Sequence, residues 1–240
     1  MPVTIKHARI VVVFDVCSSS QIMEDLLLSE RFTRYEAFLT CIKRWLIDQS
    51  SKQPPVGVPF ELYKFTGDGW ILLFHASTAG EALLAFIRGL CEMVSAELAR
   101  HIIPSLSSVP AVLGATLGIE KGNLVKMKMN KREEYVGRAL NIARRLQNAV
   151  KNIEPSPGYK ALVSASLCNE CFGQLSVPYK VEFATCPLRN ILGGSGFACR
   201  KIDLAVDAAG QALPWPEHET SGWTCARSNW DKSAIAALDG

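Results

Sequence analysis

Residues 63–74 read YKFTGDGWILLF, two apolar segments joined by a Gly-Asp-Gly tip. Asp-Gly is typical of a two-residue hairpin, because both central positions of a type I′ turn need a positive φ angle. The stretch predicts strands at 59–66 and 70–75 with Asp68 at the tip. A tight turn that points the carboxylate into water would explain the pattern. A second carboxylate at the end of a neighbouring buried strand would instead indicate a metal site.

Such a carboxylate ends the first apolar run. Residues 8–15, ARIVVVFD, are typical of a strand buried on both faces, and Asp15 closes it. A carboxylate there needs a partner or an ion, although a strand-end residue that caps the next helix is an alternative. If this strand lies beside the hairpin, Asp15 and Asp68 can hold two divalent cations. Hard oxygen ligands favour Mg²⁺ or Mn²⁺.

A serine-rich turn follows Asp15. Its serines offer N-caps for a helix that begins near Gln21. The free N–H groups and the dipole of a helix N-terminus favour phosphate groups, which makes Ser18 and Ser19 candidates for binding a triphosphate. Two aspartates, metal ions and an anion cradle together predict a nucleoside triphosphate site.

Hydrophobic periodicity predicts the remaining elements. The predicted order is β-α-α-β-β-α-β-β-α followed by shorter strands. Helices are expected at about 31–47, 80–101 and 136–150, two strands within 111–128 around a Glu-Lys-Gly-Asn turn, and strands near 160–164, 179–184 and 197–204. Residues 1–204 are interpreted as one catalytic domain, and residues 205–240, with three tryptophans, as a tail to which no role is assigned.

The composition is that of an ordinary globular protein. The 240 residues are 48% hydrophobic and 20% charged, with a formal net charge of +3. This mild and scattered charge argues against a nucleic-acid partner. No apolar run approaches the roughly 18–20 residues of a membrane helix. The N-terminus lacks the cleavage site of a signal peptide, so the protein is expected to be cytoplasmic.

Cysteine usage indicates reduced thiols. Eight cysteines are spread over a chain that is long for a disulfide scaffold. Cys168 and Cys171 form the one closely spaced pair. A structural zinc ion there would need two more ligands, and no second CxxC or HxxxH supplies them. The sequence therefore argues against zinc at this pair.

Three segments carry a family resemblance. FDVCSSS (14–20), YKFTGDGWILLF (63–74) and YVGRALNIARRLQNAV (135–150) resemble, in order, the signature blocks of class III nucleotidyl cyclases. The resemblance spans about residues 8–204. It implies an α+β fold with a ferredoxin-like βαββαβ core, in which helices flank an antiparallel or mixed sheet. It also implies a head-to-tail homodimer in which metal aspartates of one chain face transition-state residues of the other.

The resemblance assigns roles to individual residues. Asp15 and Asp68 match the metal aspartates, and the backbone of Phe14 and Val16 would flank the ion and the triphosphate. The expected cofactors are two Mn²⁺ or Mg²⁺ ions. They would assist attack of the ribose 3′-hydroxyl on the α-phosphate, with pyrophosphate as the leaving group.

The helix block supplies the transition-state residues. Asn141 and Arg145 match the pair that holds the ribose and the pentavalent phosphate. Their i, i+4 spacing independently places them on one helical face. Arg189 is the candidate for a further triphosphate ligand. The neighbouring Arg138 and Arg144 are interpreted as surface arginines.

The base-reading positions depart from the family. Adenylyl cyclases use a lysine on the first hairpin strand and an aspartate or threonine before the asparagine helix, whereas guanylyl cyclases use glutamate and cysteine. Counting along the motifs places Leu62 and Glu134 at these positions. Leucine cannot form a hydrogen bond with a base, so a purine would be disfavoured. Tyr63, Lys64 and Tyr135 are alternative candidates for reading the base.

These departures resemble the stand-alone bacterial pyrimidine cyclases of Pycsar antiphage systems. That resemblance implies synthesis of cyclic UMP from UTP, or less favourably cyclic CMP from CTP, as a signal for a cyclic-nucleotide-sensing effector. One alternative is an adenylyl or guanylyl cyclase with an atypical base pocket. Another is a catalytically silent cyclase-like module for dimerisation or nucleotide binding, against which the presence of both aspartates, Asn141 and Arg145 argues.

Overall fold

The computed structural model describes residues 6–52, 57–129, 131–153, 158–173, 178–188, 191 and 196–213. Their strands and helices are, in order, β1 (Lys6–Val16), α1 (Ser19–Leu28), α2 (Thr33–Ser51), β2 (Phe60–Phe65), β3 (Gly69–His75), α3 (Gly80–Glu97), β4 (Ala115–Met129), β5 (Arg132–Val136), α4 (Arg138–Ile153), β6 (Lys160–Ser164), α5 (Ala165–Phe172), β7 (Tyr179–Pro187) and β8 (Gly196–Asp207). A π-helical turn (Leu98–Ile102) and a 3₁₀ turn (Ile103–Ser105) extend α3.

The strands form one mixed sheet in the order β2-β3-β1-β4-β6-β8-β7, and β5 pairs with the far half of β4. Strands β1 to β4 with helices α1 to α3 form a βαββαβ unit in which neighbouring strands are antiparallel. β6 joins β4 in parallel, and β8 and β7 follow antiparallel. This arrangement confirms the predicted α+β class and its ferredoxin-like core.

Helices cover both faces of the sheet. The side chains of β1 are apolar and point alternately to each face, so both faces need to be buried. Ile10, Val12 and Phe14 pack with α1, α2, α3 and α5. Val11 and Val13 point to the opposite face, where α4 packs. Alternation along the strand therefore directs the side chain of Asp15 to the face that carries α4.

The hairpin turn differs from the prediction by one position. β2 pairs Phe65 with Trp70, so Gly67 and Asp68 are the central residues, and of these two only Gly67 has a positive φ, +107°. This is the pattern of a type II′ turn, with glycine first, rather than type I′. Gly69 belongs to β3, where a Cβ atom would overlap the carbonyl of Phe14. The second glycine therefore permits close pairing with β1.

The predicted turn at Glu-Lys-Gly-Asn is wrong. Residues 120–123 lie inside β4, a single 15-residue strand, and pair with residues 8–11 of β1. The chain reverses later, between Met129 and Arg132, to form β5. The pairing with β1 outweighs the local turn propensity, because it satisfies the backbone hydrogen bonds of the whole segment.

α4 lies unusually close to the sheet. A Cβ atom on Gly118 of β4 would overlap backbone atoms of Ala143 and Gln147. The buried stripe of α4 includes Ala139, Ala143 and Gln147, spaced by four residues as on one helical face. The glycine thus sets both the distance and the rotation of the helix that faces Asp15.

β8 continues beyond residue 204, the predicted end of the catalytic domain. It ends at Asp207, and the N–H of Leu213 returns to donate to the carbonyl of Ala205 at 2.8 Å. The three tryptophans of the predicted tail lie outside the described residues. Within the described part of the chain, no helix is long and apolar enough to cross a bilayer.

Candidate active site

The structure brings Asp15 and Asp68 to one cleft, where β1 ends and the β2–β3 hairpin turns. Asp15 is opposite Gly69 in the β1–β3 ladder. The N–H of Val16 donates to the carbonyl of Asp68 at 3.2 Å, which attaches the hairpin tip to the end of β1. Strand pairing thus places side by side two aspartates that are 53 positions apart in the chain, 68 minus 15.

Neutral donors hold both carboxylates. Nε2 of Gln147 donates to Oδ2 of Asp15 at 3.2 Å and to the hydroxyl of Thr116 at 2.9 Å. The hydroxyl of Ser19 donates to Oδ2 of Asp68. Asp15 is only 8% exposed. Two adjacent carboxylates with such surroundings fit divalent cations, because a nearby positive charge offsets both their desolvation and their mutual repulsion.

A helix N-terminus lies at the position of the predicted anion cradle, with capping that differs from the prediction. α1 begins at Ser19, two residues before the predicted start, and Ser18 is its N-cap in the left-handed region with φ of 57°. Ser18 therefore occupies a predicted N-cap position, but its hydroxyl donates to the carbonyl of Val112 at 2.7 Å instead of to the helix. Phe14 and Val16 bury their side chains in the core. Their backbone groups flank Asp15.

Tyr35 of α2 lies close to the aspartates. It is 1% exposed, and its hydroxyl has no hydrogen-bond partner among the described residues. Burial raises the pKa of Tyr35 well above its usual range, and the negative charges of Asp68 and Asp15 raise it further. The phenol therefore stays protonated and neutral beside the carboxylates. The hydrophobic spacing of α2 indicates only that Tyr35 is a core residue, so the sequence did not point to this position.

α4 contributes Arg144, Gln147 and Asn148 to the cleft, together with Thr66 of the hairpin. The sequence did not predict these residues, and Arg144 was interpreted as a surface arginine. Which residues of α4 line the cleft depends on the rotation of the helix about its axis. The sequence feature that could have revealed them is the spacing of Arg144 and Asn148, which are four residues apart on the helix that carries the third signature block.

Asn141 and Arg145 do not line this cleft. Asn141 is exposed, and Arg145 is half-buried with its Nη1 atom buried and without a hydrogen bond among the described residues. One chain therefore brings together the two predicted metal aspartates but leaves the two predicted transition-state residues elsewhere on α4. Arg189, the predicted triphosphate ligand, lies outside the described residues.

A β-bulge changes the interpretation of the base-reading positions. The β2–β3 register shifts between Leu62 and Lys64, because Tyr63 is an extra residue in β2. Leu62 packs against the core on the face away from α4. Nζ of Lys64 lies 3.2 Å from both carboxylate oxygens of Glu134. Glu134 therefore pairs with Lys64, whereas the side chain of Leu62 packs into the core.

The Lys64–Glu134 pair is supported by two tyrosines. The hydroxyl of Tyr63 donates to Oε2 of Glu134 at 2.5 Å and accepts from the N–H of Tyr135 at 2.8 Å. The hydrogen bonds from Tyr63 and Lys64 lower the pKa of Glu134. Burial, followed by the hydrogen bond to Glu134, raises the pKa of Tyr63 to about 12. An ionised carboxylate thus lies next to a lysine.

Several solved structures that share this architecture are nucleotide cyclases. The adenylyl cyclase CyaB from P. aeruginosa superposes with a TM-score of 0.62 at 13% identity, over 84% of this chain and 96% of that one. The guanylyl cyclase Cya2 superposes with a TM-score of 0.57 at 15% identity, over 89% and 97%. The chain has the class III nucleotide cyclase fold. No protein-family model and no curated protein matches the sequence.

A third structure with this cyclase fold is described as an adenylate/guanylate cyclase/hydrolase from Silicibacter pomeroyi. It has a TM-score of 0.50 at 16% identity and covers 82% of this chain and 97% of its own. The cyclase fold therefore accounts for nearly the full length of these proteins and for most of this one. At such identities the superpositions establish the fold, and function has to be argued from the side chains.

Proposed function

We propose that this chain is a nucleotide cyclase that converts a nucleoside triphosphate to its 3′,5′-cyclic monophosphate and pyrophosphate. One observation carries the proposal: Asp15 and Asp68 meet in a single cleft of a cyclase fold, next to the N-terminus of α1. Asp15 and Asp68 would hold Mg²⁺ or Mn²⁺, which supply charge neutralisation for phosphoryl transfer when bound. In the reaction, the 3′-oxygen displaces pyrophosphate from the α-phosphorus in line.

The chain's own residues position the reactants. Gln147 and Ser19 fix the orientation of the two carboxylates. Arg144 places a positive charge in the cleft, where negative charge develops on the phosphoryl oxygens. In the head-to-tail dimer that the family resemblance implies, Asn141 and Arg145 of a second copy would complete the site. This arrangement accounts for their position outside the cleft of their own chain.

We further propose that Lys64 and Glu134 read the base. The pair contacts Tyr63, which packs with Tyr135 and Val13 on the sheet face to which Asp15 also points. Glutamate accepts a hydrogen bond and lysine donates one. Adenine and cytosine each present an amino group beside an acceptor nitrogen, whereas uracil and guanine present a carbonyl beside an N–H. With Glu134 facing the exocyclic group and Lys64 facing the ring nitrogen beside it, the pair favours ATP or CTP.

Of the two pyrimidine nucleotides, the proposed pair is compatible with CTP rather than UTP. The preference for a pyrimidine rested on Leu62 and Glu134, which match neither purine-reading pair, and no residue in the sequence separated UTP from CTP. The bulge at Tyr63 leaves Lys64, rather than Leu62, beside Glu134, and this weakens the argument against a purine. CTP keeps the pyrimidine assignment, and ATP corresponds to the adenylyl cyclase alternative. The link to antiphage signalling and to an effector that senses the product depends on the resemblance alone and stays a prediction.

The test is incubation of the purified full chain with Mn²⁺ and each of ATP, CTP, GTP and UTP, with products identified by mass spectrometry. We expect cyclic AMP or cyclic CMP. Asp15→Asn and Asp68→Asn should each abolish the product, whereas Asp48→Asn, which alters an exposed ion pair with Lys52 on α2, should not. No product from any nucleotide would support the silent module, and cyclic UMP or GMP alone would contradict the proposed base reader.

A further inference from the structure

A cluster of metal-ligating side chains lies away from the aspartate cleft. Cys41 of α2, Glu97 at the end of α3 and His101 of the π-helical turn place one ligand atom each within 4.8 Å of one another. Cys41 and Glu97 are buried and His101 is half-buried. None of the three lines the aspartate cleft. This cluster is therefore distinct from the proposed cyclase site.

The polar atoms of the cluster are poorly satisfied by each other. Oε1 of Glu97 accepts from Arg100 at 2.7 Å. Oε2 of Glu97 lies 3.1 Å from Nε2 of His101, yet it is buried and has no hydrogen bond among the described residues. Nδ1 of His101 is also buried without one. A buried carboxylate oxygen that forms no hydrogen bond, with only an imidazole nitrogen nearby in the described part of the chain, is costly, so this geometry favours a ligand shared by the two side chains.

Two of the three ligand separations are close to those around a tetrahedral zinc ion. Bond lengths of about 2.0–2.1 Å to nitrogen and oxygen and about 2.3 Å to sulfur imply ligand separations of about 3.3 Å for N to O and about 3.6 Å for S to N. The observed separations are 3.1 Å for His101 Nε2 to Glu97 Oε2 and 3.9 Å for His101 Nε2 to Cys41 Sγ. The third separation, between Cys41 Sγ and the Glu97 carboxylate, is at most 4.8 Å, so zinc binding would draw Cys41 towards Glu97.

The local backbone supports this arrangement. Glu97 and His101 are four residues apart, a spacing that places both ligands on one helical face. The helix changes from α to π at Leu98, and π-turns occur frequently at functional sites. Arg100 holds the second carboxylate oxygen of Glu97 and so fixes the orientation of the ligand from outside the site.

We propose that Cys41, Glu97 and His101 bind one zinc ion that links α2 to the end of α3, with water as the fourth ligand on the 17% exposed His101 side. Cys41 and Glu97 are 56 positions apart (97 minus 41), a spacing that the sequence does not mark as a metal site, unlike the closely spaced Cys168 and Cys171. The ion would connect two helices on the face of the sheet opposite α4. The proposal does not depend on cyclase activity.

The experiment is a titration with Co²⁺ and Zn²⁺ of the full chain carrying Asp15→Asn and Asp68→Asn, which remove the carboxylates of the other cleft. We expect one ion per chain by mass spectrometry, a thiolate-to-cobalt charge-transfer band, and a higher melting temperature with zinc. Cys41→Ser should abolish the band, and His101→Asn should weaken binding at least tenfold. Cys171→Ser, at a half-buried thiol of α5, is the matched control and should change neither.

Circular dichroism of each variant without metal shows whether it is folded. Absence of the charge-transfer band, or the same band in folded Cys41→Ser, would overturn the proposal. Because every readout is metal binding or melting, failure here leaves the cyclase proposal untouched. Loss of cyclase activity would likewise leave the zinc site standing.

Discussion

At the scale of single residues, the proposed reading of the base depends on one ion pair, Lys64 and Glu134. Lys64→Ala or Glu134→Gln removes a hydrogen bond to a charged group, worth about 1.5–3 kcal/mol. We expect kcat/KM for the preferred nucleotide to fall about 10- to 100-fold, with smaller losses for the other bases. Competition assays with mixed nucleotides measure this change.

Lys126→Ala is the matched control, because Lys126 forms a salt bridge with Glu133 on the neighbouring ribbon of β4 and β5. It should leave the base preference unchanged. Equal losses for all four nucleotides in Lys64→Ala would contradict a role in reading the base.

Glu120 gives the fold a pH dependence. Burial raises its pKa above the ordinary value of 4.5, despite hydrogen bonds from Ser164 and from the N–H of Lys121. The folded state therefore binds more protons than the unfolded state above pH 4.5. Glu120 should lower the free energy of unfolding as the pH rises through this window, up to its raised pKa.

Glu120→Gln keeps the acceptor for Ser164 and cannot ionise. Urea unfolding at a series of pH values should show that the variant lacks this decline. Glu170→Gln, at an exposed glutamate of α5 paired with Lys121, serves as the control and should retain it. A decline of equal slope in Glu120→Gln would assign the pH dependence to another group.

At the scale of secondary-structure elements, the hairpin is aligned with β1 by a glycine. A Cβ atom at Gly69 would overlap the carbonyl of Phe14. Gly69→Ala should therefore separate β3 from β1 and lower the free energy of unfolding by about 1–3 kcal/mol, as overpacking does. It should also reduce turnover, since the tip carries Asp68. Thermal melting and the cyclase assay test both effects.

Gly89→Ala is the control for Gly69→Ala. Gly89 lies in α3, and its added Cβ atom would make an ordinary contact with Trp45 at 3.5 Å. Alanine in a helix interior should leave stability equal or raise it by about 0.5–1 kcal/mol. Equal destabilisation by the two substitutions would remove the argument from close strand pairing.

The same elements show what the sequence could predict. The β1 run, the hairpin and the periodicity of α4 gave correct elements, because burial on a sheet face or helix stripe determines local residue type. The turn within β4 was wrong because pairing with β1 is a tertiary effect. Arg144 and Gln147 were missed for a similar reason, since Gly118 sets the rotation of α4 and the local pattern does not reveal it.

At the scale of the whole molecule, the proposed dimer divides the catalytic residues between chains. Asp15→Asn and Arg145→Ala should each be inactive alone. In an equal mixture, half of the dimers combine both chains, and each such dimer keeps one intact site. We therefore expect about a quarter of the wild-type activity to return on mixing and re-equilibration.

Mixing Asp15→Asn with Arg144→Ala is the control for this experiment. Arg144 lines the cleft of the same chain as Asp15, so a mixed dimer contains no site with both residues intact. Mixing should restore no activity beyond that of Arg144→Ala alone. Recovery with Arg144→Ala, or its absence with Arg145→Ala, would refute the division of residues between chains.

The central position of β1 in the sheet has a consequence for motion. β1 is paired with β3 on one side and β4 on the other, and its residues 10–16 are buried. Its amide protons can exchange with deuterated solvent only through near-global opening, whereas those of the edge strand β2 can exchange through local fraying. Asp15 is therefore at the end of a strand whose amide protons we expect to exchange slowly, whereas Asp68 is in the hairpin that contains the edge strand β2. We expect nucleotide binding to slow deuterium uptake at the hairpin tip and to leave β1, already at its limit, unchanged.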